Sequence, residues 1–500
     1  MMELGNYCFY IYIKQPKNKQ MKRIFLSAFL LVSLSLSAQN IDRKQVVERN
    51  NPHVVTMDSQ NSLSVGNGGF AMTVDGTGLQ SFPKSYSKGV PLGTMSDWGW
   101  HSFANPENYK PEESWRYYDY GRGRKEPYAT QIKEDKRKKA AGDWYRVNPH
   151  RLHLGTLGLS LGSDPKNIQQ VNQILDMWDG MIKSSFIYNG RAYQVETTCH
   201  PELDMIATHV QSKGFIAFDI RFAYPTGGHC DDACDWNKDH LHSTMLVSHD
   251  KNSAVLKRTI DETVYFVMLR WQGTAKLKQK GKNFYQLQSK SADLKLTCEY
   301  AEQVSSVSKT FAEVADAAKV YWNRYWQKGA MVDFGQCKDP RAQEMERRVV
   351  LSQYLLAIQD AGETPPQETG LTYNSWFGKF HLEMILWHQA QFALWGHPEL
   401  LERSLSWYFK AEPNARKIAQ RQGFKGVRWM KMTDPDAGEA PSSVGSFLIW
   451  QQPHLIYLAE LLWAGAHSES REPRHRQDCG RLQSAGRKNG CGGGAGAERA

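Results

Sequence analysis

Three short segments combine aromatic side chains with charged or amide groups, each close to the start of a predicted helix. They are residues 376–384, 423–441 and 450–457. Carboxylate, amide, imidazole and cationic side chains form paired hydrogen bonds with neighbouring hydroxyl groups, and an aromatic face stacks on the C–H face of a sugar ring. The chemistry that these segments predict is therefore recognition of a carbohydrate.

The candidate binding residues are the polar and aromatic side chains of these segments. The predicted substrate-binding set is Trp376, Lys379, His381, Glu383, Trp429, Lys431, Asp434, Glu439, Gln452 and His454. Glu383 and Glu439 are also candidate catalytic carboxylates, although the residues alone do not identify a catalytic acid and base. We expect both, together with Asp434 and Asp436, mostly to bind hydroxyl groups.

Two of these assignments have a structural alternative. Glu383 stands in the predicted first turn of a helix, where an acid stabilises the helix dipole, so a binding role and a helix-start role both remain open. His381 and His388 lie seven residues apart on one helical stripe. We expect them to be ordinary core or surface histidines rather than metal ligands.

The tryptophans divide by their predicted surroundings. Trp387 and Trp395 fall within a predicted helix, and we expect them in the core. Trp376 and Trp429 stand in loops beside charged residues, and we expect them to contact a ligand.

A Cys-, His- and Asp-rich segment at residues 229–242 raises the question of a metal site. Cys230 and Cys234, followed by His240 and His242, do not have a standard zinc-site spacing, so we predict no metal and no cofactor. The segment is better interpreted as a loop that reaches over the mouth of the helical domain. Trp98, Trp100 and His101, beside Asp97, either do the same or simply pack in the core.

The elements that position these residues change type near residue 309. Short alternating runs between residues 40 and 308 predict a large β-sandwich, and Asn189-Gly190 between two such runs predicts a hairpin. Helical spacing follows at 309–329, 341–361, 380–395, 398–411, 413–423 and 453–463. The helices predicted at 398–411 and 413–423 each begin at a proline, which suits a first helical turn.

Taken in order, the motifs resemble the glycoside hydrolase family 65 group of six-hairpin glycosidases. Glu383 matches the glutamate of that family's Phe-Trp-Asp-Thr-Glu motif, and Gly66-Asn67-Gly68-Gly69-Phe70 is similar to its Gly-Asn-Gly signature. The resemblance covers about residues 50–463. Phe380-His381 replaces the family's substrate-binding Trp-Asp, which indicates a divergent branch rather than an α-glucoside enzyme.

The resemblance implies a β-sandwich followed by an (α/α)6 toroid barrel that this chain leaves incomplete. Residues 341–463 suffice for about four or five helices rather than twelve. The predicted domains are a leader and signal peptide at 1–38, the sandwich at 39–308, a helical linker at 309–340, the partial catalytic barrel at 341–463 and a disordered tail at 464–500. The tail is interpreted as a shifted reading frame or, alternatively, as natural disorder.

The function that the resemblance implies is inverting hydrolysis of a glycosidic bond in an oligosaccharide or polysaccharide-derived glycoside. The alternatives are a glycoside phosphorylase, which would require phosphate, and a catalytically inactive carbohydrate-binding protein. The family's general acid lies in a later hairpin, so we expect the acid and base outside this chain. The expected partner is a carbohydrate substrate.

The ends of the chain account for most of its charge. The formal charge is +10, of which residues 1–38 carry +4 and residues 464–500 carry +3. The body has no basic face, so we expect no nucleic-acid partner. Residues 21–38 have a basic start, a short apolar run and small residues, which predict a cleavable signal peptide, a secreted or periplasmic protein and no membrane contact after cleavage.

Overall fold

The computed structural model describes residues 41–468, and every helix and strand lies in one compact unit that begins at Arg43. The predicted leader and signal peptide at 1–38 lie outside the described residues, as does most of the predicted tail. Within residues 41–468, no helix has the length and apolar character needed to cross a membrane.

Most strands belong to the first part of the chain. The first twelve are β1 (His53–Val54), β2 (Leu63–Gly66), β3 (Phe70–Val74), β4 (Thr94–Ser96), β5 (Trp100–His101), β6 (Trp115–Asp119), β7 (Lys125–Ala129), β8 (His150–Arg151), β9 (Thr156–Leu159), β10 (Ile168–Asp176), β11 (Met181–Tyr188) and β12 (Arg191–Cys199). The others are β13 (Met205–Ser212), β14 (Ile216–Arg221), β15 (Tyr224–Pro225), β16 (Cys234–Asp235), β17 (His242–His249), β18 (Ser253–Ile260), β19 (Thr263–Gln272), β20 (Ala275–Gly281), β21 (Phe284–Ser289), β22 (Asp293–Ala301), β23 (Phe380–His381) and β24 (Met432–Thr433).

Two antiparallel sheets carry the β-rich part. The larger has nine strands in the order β1-β10-β11-β12-β13-β22-β19-β18-β17, and the smaller has four in the order β20-β21-β14-β9. Burial alternates strictly along β18, because successive side chains of a strand point to opposite faces. Tyr285 of the smaller sheet donates its hydroxyl proton to the Thr244 carbonyl of the larger sheet at 3.2 Å. The two sheets thus share one buried core.

The predicted hairpin is confirmed. Asn189 and Gly190 join β11 to β12 and have φ values of 48° and 75°. Positive φ at both central positions is what a two-residue type I′ turn requires.

Five of the eight helices in the described residues come after residue 309, where the sequence predicts a change from strands to helices. They are α1 (Arg43–Arg49), α2 (Pro83–Tyr86), α3 (Lys136–Val147), α4 (Phe311–Lys328), α5 (Ala342–Gln359), α6 (Ile385–Leu394), α7 (Pro398–Arg421) and α8 (His454–Ser468). Short 3-10 helices lie at Pro111–Ser114, Pro165–Asn167, Asp239–Leu241, Trp376–Gly378 and Gly445–Phe447. Residues 41–468 thus hold four α-helices after residue 341.

Three helix predictions are wrong in detail. Residues 380–384 are not helical, because β23 pairs with β24 and Glu383 therefore precedes α6. The two helices predicted around Pro413 form the single helix α7, with this proline on its exposed side. Helix α8 continues past its predicted end at Trp463 to Ser468.

The Gly66–Phe70 motif joins the β-rich part to the helices. Asn67 accepts hydrogen bonds from the backbone of Gly69 and Phe70, and the Gly68 N–H donates to the Ile358 carbonyl of α5 at 3.0 Å. Gly68 has a φ of +102°, and a Cβ there would lie 2.7 Å from the Ala361 oxygen. Only glycine allows this approach.

A long excursion leaves the sheets between β5 and β8, which pair with each other at its base. We call residues 102–149 the arm; it contains β6, β7 and α3, a helix that the sequence analysis missed. The segment between α7 and α8, residues 422–453, is called the long loop. The arm packs on it, since Arg146 donates to the Pro441 carbonyl at 2.9 Å and Tyr128 stacks on Phe447.

Candidate carbohydrate site

The centre of the candidate site is Trp376, in the loop between α5 and α6. Trp376 and Phe377 have φ values of 48° and 63°. These left-handed conformations are uncommon for residues with a side chain, and they often occur at functional positions. Trp376 remains partly exposed at this turn.

The short pairing of β23 with β24 brings an ion pair to the tryptophan. The Leu382 N–H donates to the Lys431 carbonyl at 2.9 Å, which fixes the register of the two segments. Lys431 Nζ then lies 2.7 Å from Glu383 Oε1 and 4.8 Å from the centroid of the Trp376 ring. Three residues predicted to bind substrate thus meet at one place.

Two further groups reach Trp376 from distant parts of the chain. The Arg146 guanidinium, from the arm, lies 5.5 Å from the Trp376 ring centroid. The His229 ring packs edge-on against the indole, with centroids 4.2 Å apart. The predicted reach of the 229–242 loop towards the helical part is confirmed for His229.

A histidine and a second carboxylate complete the group. His381 Nδ1 donates to the Lys379 carbonyl at 2.9 Å, and its Nε2 lies 3.6 Å from Glu368 Oε2. His388 Nε2 donates to the backbone carbonyl of Glu368 at 3.0 Å. The sequence analysis missed Glu368, because it stands in a loop without a periodic or motif signal.

Burial controls the charge of this site. It lowers the pKa of His381 to about 3, with nearby Lys431 acting in the same direction, so the imidazole is neutral at pH 7. Burial also raises the pKa of Glu383, whereas the hydrogen bond from Lys431 opposes that rise. The ion pair therefore helps Glu383 to remain a carboxylate.

Several buried atoms of the site have no hydrogen-bond partner among the described residues. They are His381 Nε2, Glu383 Oε2, Glu368 Oε2 and His388 Nδ1. Buried polar atoms are nearly always hydrogen-bonded in folded proteins. A group of acceptors beside an aromatic face is therefore suited to a ligand that carries several hydroxyl groups.

Four other predicted binding residues support the loops instead. Lys379 is buried and donates to the Asn148 carbonyl at 3.0 Å, and His454 donates to the Leu382 carbonyl at 3.1 Å. Gln452 bonds both the N–H and the carbonyl of Trp429. We call Lys379, Trp429, Gln452 and His454 the frame.

The predicted stacking role of Trp429 is wrong in this structure. Its side chain is 1% exposed and packs against Tyr408 at 4.8 Å and Trp407 at 6.2 Å. The expectation for Trp387 is wrong in the opposite sense, since this side chain is 60% exposed and not in the core. Trp429 is thus buried although it lies in a loop, and Trp387 is exposed although it lies in a helix.

Asp434 and Glu439 lie away from Trp376. Asp434 Oδ1 accepts from the backbone N–H of Asp436 and of Gly438, which shapes a turn. Glu439 forms an ion pair with Arg421 of α7. Both acidic residues line a different cavity, formed with the arm.

The remaining candidates make contacts within the core. Trp98 donates to Asp204 at 2.8 Å, Trp100 lies under Arg151, and His101 Nε2 is 3.0 Å from an Asp261 oxygen. His101 is buried and packs in the core, whereas Trp98 is partly exposed and lines a pocket together with Glu363 and Arg403 of the helical part. Within residues 41–468, no group of three or more His, Cys, Asp or Glu side chains could hold a metal ion.

Comparisons with known proteins show the fold. No protein-family profile matches the chain, and no curated protein matches it. A solved structure described as a candidate kojibiose phosphorylase from the human microbiome matches with a TM-score of 0.54 and 11% identity, over 84% of this chain and 57% of that one. This chain thus spans little more than half of that protein and shares its fold, which agrees with the predicted glycosidase-like architecture.

Two further structures match less well. A bacterial glucoamylase complexed with acarbose has a TM-score of 0.36 and 9% identity, over 62% of this chain and 56% of that one. A family GH92 alpha-mannosidase from Bacteroides thetaiotaomicron has a TM-score of 0.29 and 8% identity, over 67% of this chain and 48% of that one. Neither is close enough to support an argument about the site.

Proposed function

We propose that the protein is a carbohydrate-active enzyme that hydrolyses a glycosidic bond with inversion and holds one sugar residue at the Trp376 site. One observation carries this proposal: a partly exposed indole lies beside two cations and beside buried acceptors without partners. Sugars need both an aromatic face and several directed hydrogen bonds. The structural match described as a candidate kojibiose phosphorylase is consistent with this class of substrate.

The side chains have distinct roles in this proposal. The Trp376 face stacks on the sugar ring, and Glu383 Oε2 accepts a hydrogen bond from a hydroxyl group. His381 Nε2 also accepts a hydrogen bond from a hydroxyl group, because the single proton of the neutral ring is on Nδ1 and donates to the Lys379 carbonyl. Lys431 holds Glu383 in its ionised form and can donate to a further sugar oxygen.

Inverting hydrolysis also requires an acid that protonates the leaving oxygen and a base that activates a water molecule on the opposite face of the sugar ring. Glu383 Oε1 forms an ion pair with Lys431 Nζ at 2.7 Å, and this pair favours hydroxyl binding over proton transfer by Glu383. The Glu368 side chain has no Lys or Arg partner among the described ion pairs and lies 3.6 Å from His381 Nε2. We therefore assign Glu383 to hydroxyl binding rather than to proton transfer.

The test is turnover of a panel of oligosaccharides by the full chain, with Glu383→Gln and the exposed Glu262→Gln as a matched control. Loss of a hydrogen bond to a charged group should lower kcat/KM by about 10- to 100-fold in Glu383→Gln. The control should equal wild type. Full activity and affinity in Glu383→Gln would show that the site is placed wrongly.

Two additional measurements separate the alternatives. Turnover that requires inorganic phosphate would identify a phosphorylase, and binding without turnover would identify a carbohydrate-binding protein. The anomer first released, followed by proton NMR, would report inversion or retention directly.

Export is a separate proposal that rests on residues 21–38. We propose cleavage between Ser37 and Gln39, because small residues precede a polar segment there. Amino-terminal sequencing of the protein recovered outside the cytoplasm should begin within this interval. Recovery of an uncleaved chain from the cytoplasm would contradict it.

A further inference from the structure

A cavity of about 460 Å³ lies between the arm and the long loop, and we call it the seam cavity. Trp115, Trp144 and Tyr145 line it from the arm, and Asp434 and Glu439 line it from the long loop. Its volume falls within the range of roughly 300–1,000 Å³ that is usual for small-molecule pockets. The sequence analysis singled out these two acidic residues, but the Trp376 site does not use them.

The polar groups at the seam cavity have unused hydrogen-bonding capacity. The Glu439 side chain is 8% exposed and bonds Arg421 through Oε2, whereas its buried Oε1 has no partner among the described residues. Arg421 does not itself line the cavity; it holds Glu439 from behind, and its guanidinium lies 4.6 Å from the centroid of Trp115. Glu439 Oε1 is thus a buried acceptor without a described partner at a wall that also carries three aromatic rings.

The charged groups at the cavity sum to no excess of either sign. Glu439 pairs with Arg421, which stands outside the lining, and Asp434 and Lys417 contribute opposite charges to the lining. An ionic ligand would meet no excess of opposite charge here. A neutral ligand with hydroxyl groups could donate to Glu439 Oε1, and its apolar face could contact an indole.

The cavity and the Trp376 site are built from two shared elements. The long loop supplies Lys431 to the Trp376 site and Asp434 to the cavity, and α3 supplies Arg146 to the first and Tyr145 to the second. We propose that the seam cavity is a second saccharide subsite, which takes a neutral sugar residue of an oligosaccharide whose other end lies on Trp376. This inference rests on the proposed function.

The test uses neutral oligosaccharides of one to six units as probes, made of α-1,4-glucose, β-1,4-glucose, β-1,4-mannose or β-1,4-xylose. Calorimetric titration of the full chain gives Kd against length for wild type, Trp144→Ala, Glu439→Gln and Glu383→Gln. Trp450→Ala is the matched control, because this tryptophan is 51% exposed on the same long loop. Thermal unfolding of each variant verifies the fold. Trp144→Ala keeps the test valid if loss of the buried Glu439 charge prevents folding.

The second subsite predicts that wild type binds longer probes more tightly. Trp144→Ala and Glu439→Gln should weaken binding of the longer probes by at least about tenfold and leave the single sugar unchanged, whereas Glu383→Gln should weaken every length. The inference is overturned if folded Trp144→Ala binds all lengths like wild type, if it weakens all lengths equally, or if wild type binds no probe. If Glu383→Gln binds normally and Trp144→Ala does not, the proposed function fails and the second subsite stands.

Discussion

The Trp376 site and the frame behind it are built from the same residue types but differ in how their hydrogen bonds are used. Frame residues such as Lys379, Gln452 and His454 bond backbone atoms of neighbouring loops. His381 and Glu383 each keep one buried polar atom without a described partner. Buried charge alone therefore does not identify a binding residue here. Unused hydrogen-bond capacity does so only beside the partly exposed Trp376, because Trp429 of the frame also has a buried Nε1 without a described partner.

The largest expected difference is in the loss of stability when Trp429 of the frame or Trp376 of the site is replaced by alanine. Trp429→Ala should lower the free energy of unfolding by about 3–5 kcal/mol, because it leaves a cavity beside Trp407. Trp376→Ala should cost less than about 2 kcal/mol, because its ring is partly exposed, but it should abolish saccharide binding. Urea unfolding and calorimetric titration measure the two effects. Equal losses of stability would remove the distinction between site and frame.

A smaller loss of stability is expected when Gln452, whose side-chain amide bonds the long loop, is replaced by alanine. Gln452→Ala removes both bonds to the Trp429 backbone and should lower the free energy of unfolding by about 1–3 kcal/mol. The exposed Gln420→Ala is its control and should change stability by less than about 0.5 kcal/mol. An unchanged midpoint of thermal unfolding in Gln452→Ala would show that the frame does not support the site.

The smallest effect at neutral pH concerns His381. Its folded pKa, about 3, lies below the ordinary value of 6.5, so its contribution to stability is fully present above pH 6.5 and is lost as the pH falls towards 3. His381→Gln should therefore flatten the slope of unfolding free energy against pH between 6.5 and 4, and exposed His240→Gln should not. Identical slopes in wild type and His381→Gln would contradict the buried, neutral imidazole.

Local rules predicted the parts of the fold that depend on neighbouring residues. The Asn189-Gly190 hairpin needs only a permissive turn, and the change to helices after residue 309 follows from the spacing of apolar residues. The β23–β24 pair could not be predicted, because its strands are two residues long and distant in sequence. Helix α7 continues through Pro413 because the proline lies on its exposed face.

The site was predicted only in part, for a similar reason. Trp376, His381, Glu383 and Lys431 meet as their motifs indicated. Arg146 and His229 arrive from the arm and from a loop of the β-rich part, so only tertiary packing brings them to Trp376. The exposure of Trp387 and the burial of Trp429 likewise depend on which elements pack together.

The most direct test of the account is a crystal structure of the full chain with the tightest-binding oligosaccharide of the panel. The account predicts a sugar ring on the face of Trp376, with hydroxyl groups within hydrogen-bond distance of Glu383 Oε2 and His381 Nε2. A saccharide bound elsewhere, with the Trp376 face unoccupied and these two atoms uncontacted, would contradict it.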